Sequence, residues 1–75
     1  YLKRGIYYFD RRKFDEALDD FNKAVKYTSS AEAFFYRGAV YDETGKSDQA
    51  CQDLKKAAEM KYKPAIERVK SRCLF

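Results

Sequence analysis

A chain that matches itself at one fixed offset is built from copies of one unit, and this chain does so at 33 residues. The shift aligns Arg4 with Arg37, Gly5 with Gly38, Tyr8 with Tyr41, Lys13 with Lys46 and Asp15 with Asp48. It also aligns Ala17 with Ala50, Asp20 with Asp53, Lys23 with Lys56 and Ala24 with Ala57. Tyr1 with Phe34 and Phe21 with Leu54 are conservative matches between them. Agreement at a single offset is not a product of composition, so the chain is a tandem repeat.

Each unit reads as two helices. In the second, Ser29-Ser30-Ala31-Glu32 offers a capping box, a Ser at the N-cap and Glu three residues on. Phe34, Gly38 and Tyr41 recur at helical spacing, and Thr44-Gly45-Lys46 breaks the run. The partner helix carries Ala50, Leu54, Ala57 and Ala58 on one face. The first unit repeats the scheme with Tyr1, Gly5 and Tyr8, then Ala17, Leu18, Phe21, Ala24 and Val25. Small residues where two helices cross let the backbones approach, and aromatic rings fill the space around them. The pattern predicts an all-α fold of five helices, at 1–10, 13–27, 30–43, 47–60 and 64–73. Their natural division is 1–29, 30–62 and a closing segment 63–75. In that last segment Pro64 suits a first helical turn, and Ile66, Val69 and Cys73 form a one-sided stripe. A repeat array needs such a terminal helix with a polar outer face. The chain opens at Tyr1 without a Met, already within a helical pattern, which reads as a piece of something longer.

The pattern resembles the tetratricopeptide repeat family. The aromatic, small, aromatic triplet of that family's first helix falls on Tyr1, Gly5, Tyr8 and on Phe34, Gly38, Tyr41. The second-helix positions fall on Ala17, Phe21, Ala24 and on Ala50, Leu54, Ala57. The likeness covers about residues 1–66. It implies antiparallel hairpins stacked as a right-handed α-solenoid with a C-terminal capping helix. Departures are the period of 33, Arg12 where a turn Gly is common, Ser47 where a bulky aromatic is common, and a late proline, Pro64. The stretch Ala50–Met60 with a later Cys is similar to the closing repeat of many bacterial members.

Function follows from what the residues exclude and what the resemblance implies. There is no His, which removes the commonest general base and the Ser-His and Cys-His nucleophiles. Two Cys without a His make a zinc site a poor fit. The three Gly form no phosphate-binding loop, so the reading assigns no enzyme activity, cofactor or metal. No apolar run approaches the roughly 20 residues that cross a bilayer. The net charge of +4 is spread over mixed helix surfaces, with pairs such as Asp19 and Lys23 at i,i+4 spacing. Cys51 and Cys73 read either as inert core thiols or as a bridge between antiparallel helices. A bridge would point to an exported or periplasmic location; without one, the cytoplasm is the default.

The resemblance implies a protein–protein interaction scaffold that holds a peptide on its concave face. Carried over position by position, that face comprises Leu2, Ile6, Phe9 and Asp10, then Phe35, Ala39, Asp42 and Glu43. The Lys and Asn that clamp a peptide carboxylate in the best-known version are missing, since Leu2, Ile6, Phe35 and Ala39 stand there. What remains is an apolar strip with an acidic edge, suited to an apolar, basic segment. The competing explanation is that the strip is packed by a preceding part of a longer chain or by a second copy. Self-assembly into a homo-oligomer is an alternative function. Nucleic-acid binding through Lys61, Lys63, Arg68, Lys70 and Arg72 is a weaker one, because these bases are not interleaved with the aromatics.

Overall fold

The apolar spacing produces helices where it predicts them. The computed structural model describes residues 1–73, with α1 (Leu2–Asp10), α2 (Phe14–Thr28), α3 (Ala31–Glu43), α4 (Ser47–Glu59) and α5 (Lys63–Arg72). No strand occurs among the described residues. The final two positions of the expected closing segment, 74 and 75, lie outside them.

The helix ends follow from local chemistry. Ser30 caps α3, its hydroxyl accepting a hydrogen bond from the Ala33 N–H at 3.1 Å. This corrects the expected capping box by one residue, because Ser29 instead closes α2 in a left-handed conformation. Glu32 therefore sits one position short of the reciprocal contact. Three helices end by the same device: the second residue past the cap sends its N–H back to a carbonyl five residues earlier. The bonds are Lys13 to Tyr8, Lys46 to Tyr41 and Tyr62 to Ala57, at 2.9, 2.8 and 3.2 Å. Each needs a positive φ just before it, supplied by Arg12, Gly45 and Lys61. Only one of the three is glycine.

The helices pack in chain order, α1 on α2, α2 on α3, α3 on α4 and α4 on α5. Within each hairpin the repeated glycine marks the crossing. A Cβ placed on Gly5 would lie 2.5 Å from the Phe21 ring, and one on Gly38 would lie 3.1 Å from Leu54 Cγ. Two apolar clusters result. Ala17, Phe21 and Val40 form one, joined by Leu2, Ile6, Tyr8, Phe9 and Phe14. Phe35, Cys51, Leu54, Ala57, Ala65 and Cys73 form the other. Tyr36 packs against both, which makes α3 the central helix.

Candidate functional site

Three consecutive aromatics, Phe34, Phe35 and Tyr36, span more of a helix circumference than one face can bury. They therefore commit α3 to neighbours on several sides. Phe35 turns towards α5, its ring 5.3 Å from that of Tyr62, with the Arg68 guanidinium over it at 5.5 Å. Tyr36 turns towards the first hairpin, stacking on Phe21 at 5.7 Å and meeting Phe9 edge-on at 6.4 Å. With Phe14 against Phe9 at 5.7 Å, the rings of Phe14, Phe9, Tyr36, Phe35 and Tyr62 form an unbroken series across three helices to the N-cap of α5.

The structure divides the eight residues expected to meet a partner. Leu2, Ile6 and Phe9 lie along α1 and stay half-buried after the hairpins stack. Asp10 is exposed beyond them. Phe35 and Ala39 are 9% and 6% exposed, which corrects the expectation that they lie open. For Phe35 the reason is the closing segment: Tyr62, which caps α5, and Ala65 and Val69 within it pack into the cluster that contains Phe35. The acidic edge is also partly used within the chain. Asp42 meets Arg72 at 3.5 Å, and Glu43 meets Arg12 at 3.7 Å.

Two residues that the sequence reading passed over complete this surface, Tyr36 and Tyr62, both half-buried. Repeat alignment gave no signal for Tyr36, because its counterpart in the first unit is Lys3. Burial pushes the Tyr62 phenol pKa up, with nearby Tyr36 and Glu32 adding to it, so the neutral hydroxyl is favoured. A second open place lies at the start of α1, a cleft of about 340 Å³ lined by Tyr1, Leu2, Lys3, Ala24, Tyr27 and Thr28. The Tyr1 and Tyr27 rings stack there at 5.9 Å and remain largely exposed.

On the hairpins themselves, an ion pair with a buried carboxylate recurs with the repeat. Arg4 Nε and Nη2 donate to Asp20 at 2.9 and 2.7 Å, and Arg37 Nε and Nη2 donate to Asp53 at 2.7 and 2.8 Å. Arg37 Nη1 also donates to Asn22 Oδ1 at 3.2 Å, linking the two hairpins. The hydrogen bonds to the carboxylates push both guanidinium pKa values up, and those from Arg4 hold the Asp20 carboxyl below its usual range. The pairs were visible in the sequence only as two of its repeated identities.

Cys51 and Cys73 form a disulfide, with Cα atoms 5.8 Å apart, so α4 is covalently tied to the end of α5. This resolves the two readings of the cysteines in favour of the bridge. Among the described residues no helix is long and apolar enough to cross a membrane.

Consecutive antiparallel hairpins with glycine at their crossings define a helical-repeat protein. Residues 31–64 match the tetratricopeptide repeat family, so this stretch of the chain carries a tetratricopeptide repeat. No curated protein and no solved structure matches it. Tetratricopeptide repeats generally mediate protein–protein interaction and are typically non-enzymatic.

Proposed function

We propose that this chain is a scaffold that holds an apolar segment of a partner protein along α1 and the adjoining edge of α3. The observation that carries this reading is the line of Leu2, Ile6 and Phe9, still half-exposed and continued by Tyr36. Apolar surface of this kind gains about 25 cal/mol per Å² when a partner removes it from water. Asp10 at the end of the line favours a segment with a basic residue there. Phe35 and Ala39 support the surface from beneath and do not contact the partner. The disulfide favours an oxidising, exported location over the cytoplasm.

The test is a photo-crosslinking side chain at position 6, compared with one at Gln52 on the exposed side of α4. Capture of the same partner from position 6 alone supports the assignment. Equal capture from both positions, or capture from Gln52 alone, overturns it.

Self-assembly is the second reading, favoured by the exposed Tyr1–Tyr27 stack. Sedimentation of the chain and of a Tyr27→Glu variant separates the two, since only this reading expects a dimer that the substitution dissolves. Nucleic-acid binding is weaker, because Arg68 lies over Phe35 and Arg72 beside Asp42, which occupies two of the five candidate cations.

A further inference from the structure

We infer that the Cys51–Cys73 disulfide is a redox latch that keeps α5 closed over Phe35. The inference rests on the place of this bond: among the described residues, α5 is held by apolar packing on α4 and Phe35 and by few polar contacts. α5 has only ten residues, below the length at which an isolated helix is stable in water, so it is helical because it is docked. Within the helix, Ala65 is its one fully buried side chain; Ile66, Arg68 and Val69 are half-buried, and the other residues are exposed. Its polar contacts are the Arg68 guanidinium over the Phe35 ring and the Arg72 pair with Asp42. The latter is a long ion pair on an arginine that is more than half exposed, and such pairs contribute little. The connection to α4 turns through Lys61, a non-glycine residue at φ 65°, so the closed arrangement also carries local backbone strain.

Beside these contacts stands a covalent bond at the far end of the helix. Cys51 belongs to α4, which packs against α3 through Gly38, Leu54 and Asp53, while Cys73 caps α5. The bond therefore joins a helix packed on two neighbours to the last helix of the series. A dithiol reductant opens it by thiol–disulfide exchange. Its thiolate attacks one sulfur and expels the other as a thiolate; its second thiol then closes the reductant's own disulfide and frees the remaining cysteine. Two electrons and two protons pass from the dithiol to the cystine. With that bond gone, α5 lifts from α3 and α4, and the face it uncovers includes Phe35, Leu54 and Ala57. Phe35, one of the residues that the resemblance assigned to partner contact, is thus withheld by a reducible bond. The inference does not depend on which partner α1 holds.

Hydrogen–deuterium exchange on the intact chain tests it, with and without dithiothreitol. Reduction should speed exchange of the amides of 63–73 by about tenfold or more while those of 14–28 stay protected. A Cys73→Ala variant should reproduce this pattern without any reductant. Unchanged protection of α5 on reduction would show that noncovalent packing suffices and would overturn the latch. Loss of protection throughout the chain would overturn it equally, because the bond would then be a staple for the whole fold.

Discussion

Arg37 and Asp53 face each other across the second hairpin in a two-pronged pair, with Nε on Oδ2 at 2.7 Å and Nη2 on Oδ1 at 2.8 Å. Asp53 is largely buried, and the arginine covers it from α3 while also reaching Asn22 on α2. Burying a charge is unfavourable unless a partner satisfies it, and removing one member of such a pair typically costs about 3–5 kcal/mol. Arg37→Met should therefore lower stability by roughly 3 kcal/mol in urea unfolding. The double variant Arg37→Met, Asp53→Leu should recover much of that loss, because no unpaired carboxylate remains. A double variant as unstable as the single one would show that the pair is not what matters at this crossing.

The first-hairpin pair makes stability depend on acid. Arg4 hydrogen bonds lower the Asp20 pKa from its ordinary 3.8, and they outweigh burial, which acts the other way. The unfolded chain thus takes up this proton more readily than the folded one. The contribution of Asp20 is fully present above the ordinary value and is lost as pH falls through the lower folded value. Urea midpoints measured from neutral pH down to about pH 2 should fall more steeply for the parent chain than for Asp20→Asn. Parallel curves would contradict the assignment.

The two glycines at the helix crossings should both resist side chains. A methyl group at Gly5 meets the fully buried Phe21 ring at 2.5 Å, so one of the two must move. At Gly38 the nearest atoms are 3.1 to 3.3 Å away, and one of them is the Ala50 backbone carbonyl. Gly5→Ala and Gly38→Leu should each destabilise by about 1–3 kcal/mol through overpacking. A melting temperature unchanged in both would refute the crossing geometry.

Arg12 adopts φ 60° in the turn where the second repeat uses Gly45 at φ 81°. A side chain in this region costs on the order of 1–2 kcal/mol, partly offset in glycine by the greater freedom of its unfolded chain. Arg12→Gly should raise stability by up to about 1 kcal/mol, even though it removes a long, exposed contact with Glu43. A lower melting temperature would mean that this contact outweighs the strain.

Phe35 distinguishes core from surface. Asp at this position should collapse the second cluster and cost at least the roughly 3–5 kcal/mol seen when a buried Phe is truncated. Circular dichroism would show the loss. Retained helix content and melting would return Phe35 to the list of surface residues.

The five helices, their ends to within a residue or two and both helix crossings were legible from spacing, because a helix repeats its buried positions and a tandem repeat writes them twice. Gly5 with Gly38 and Ala17 with Ala50 needed no structure to be understood. The Arg4–Asp20 and Arg37–Asp53 pairs were half legible: the same 33-residue shift marked all four residues, but periodicity does not say which charge meets which. The outer face of α3 was not legible. Phe35 and Leu2 occupy equivalent positions in the repeat, yet one is covered and the other half-open. Spacing within a helix specifies which residues share a face, whereas what covers that face depends on a different segment. Here α5, turned back at Lys61 and bonded through Cys73, settled it.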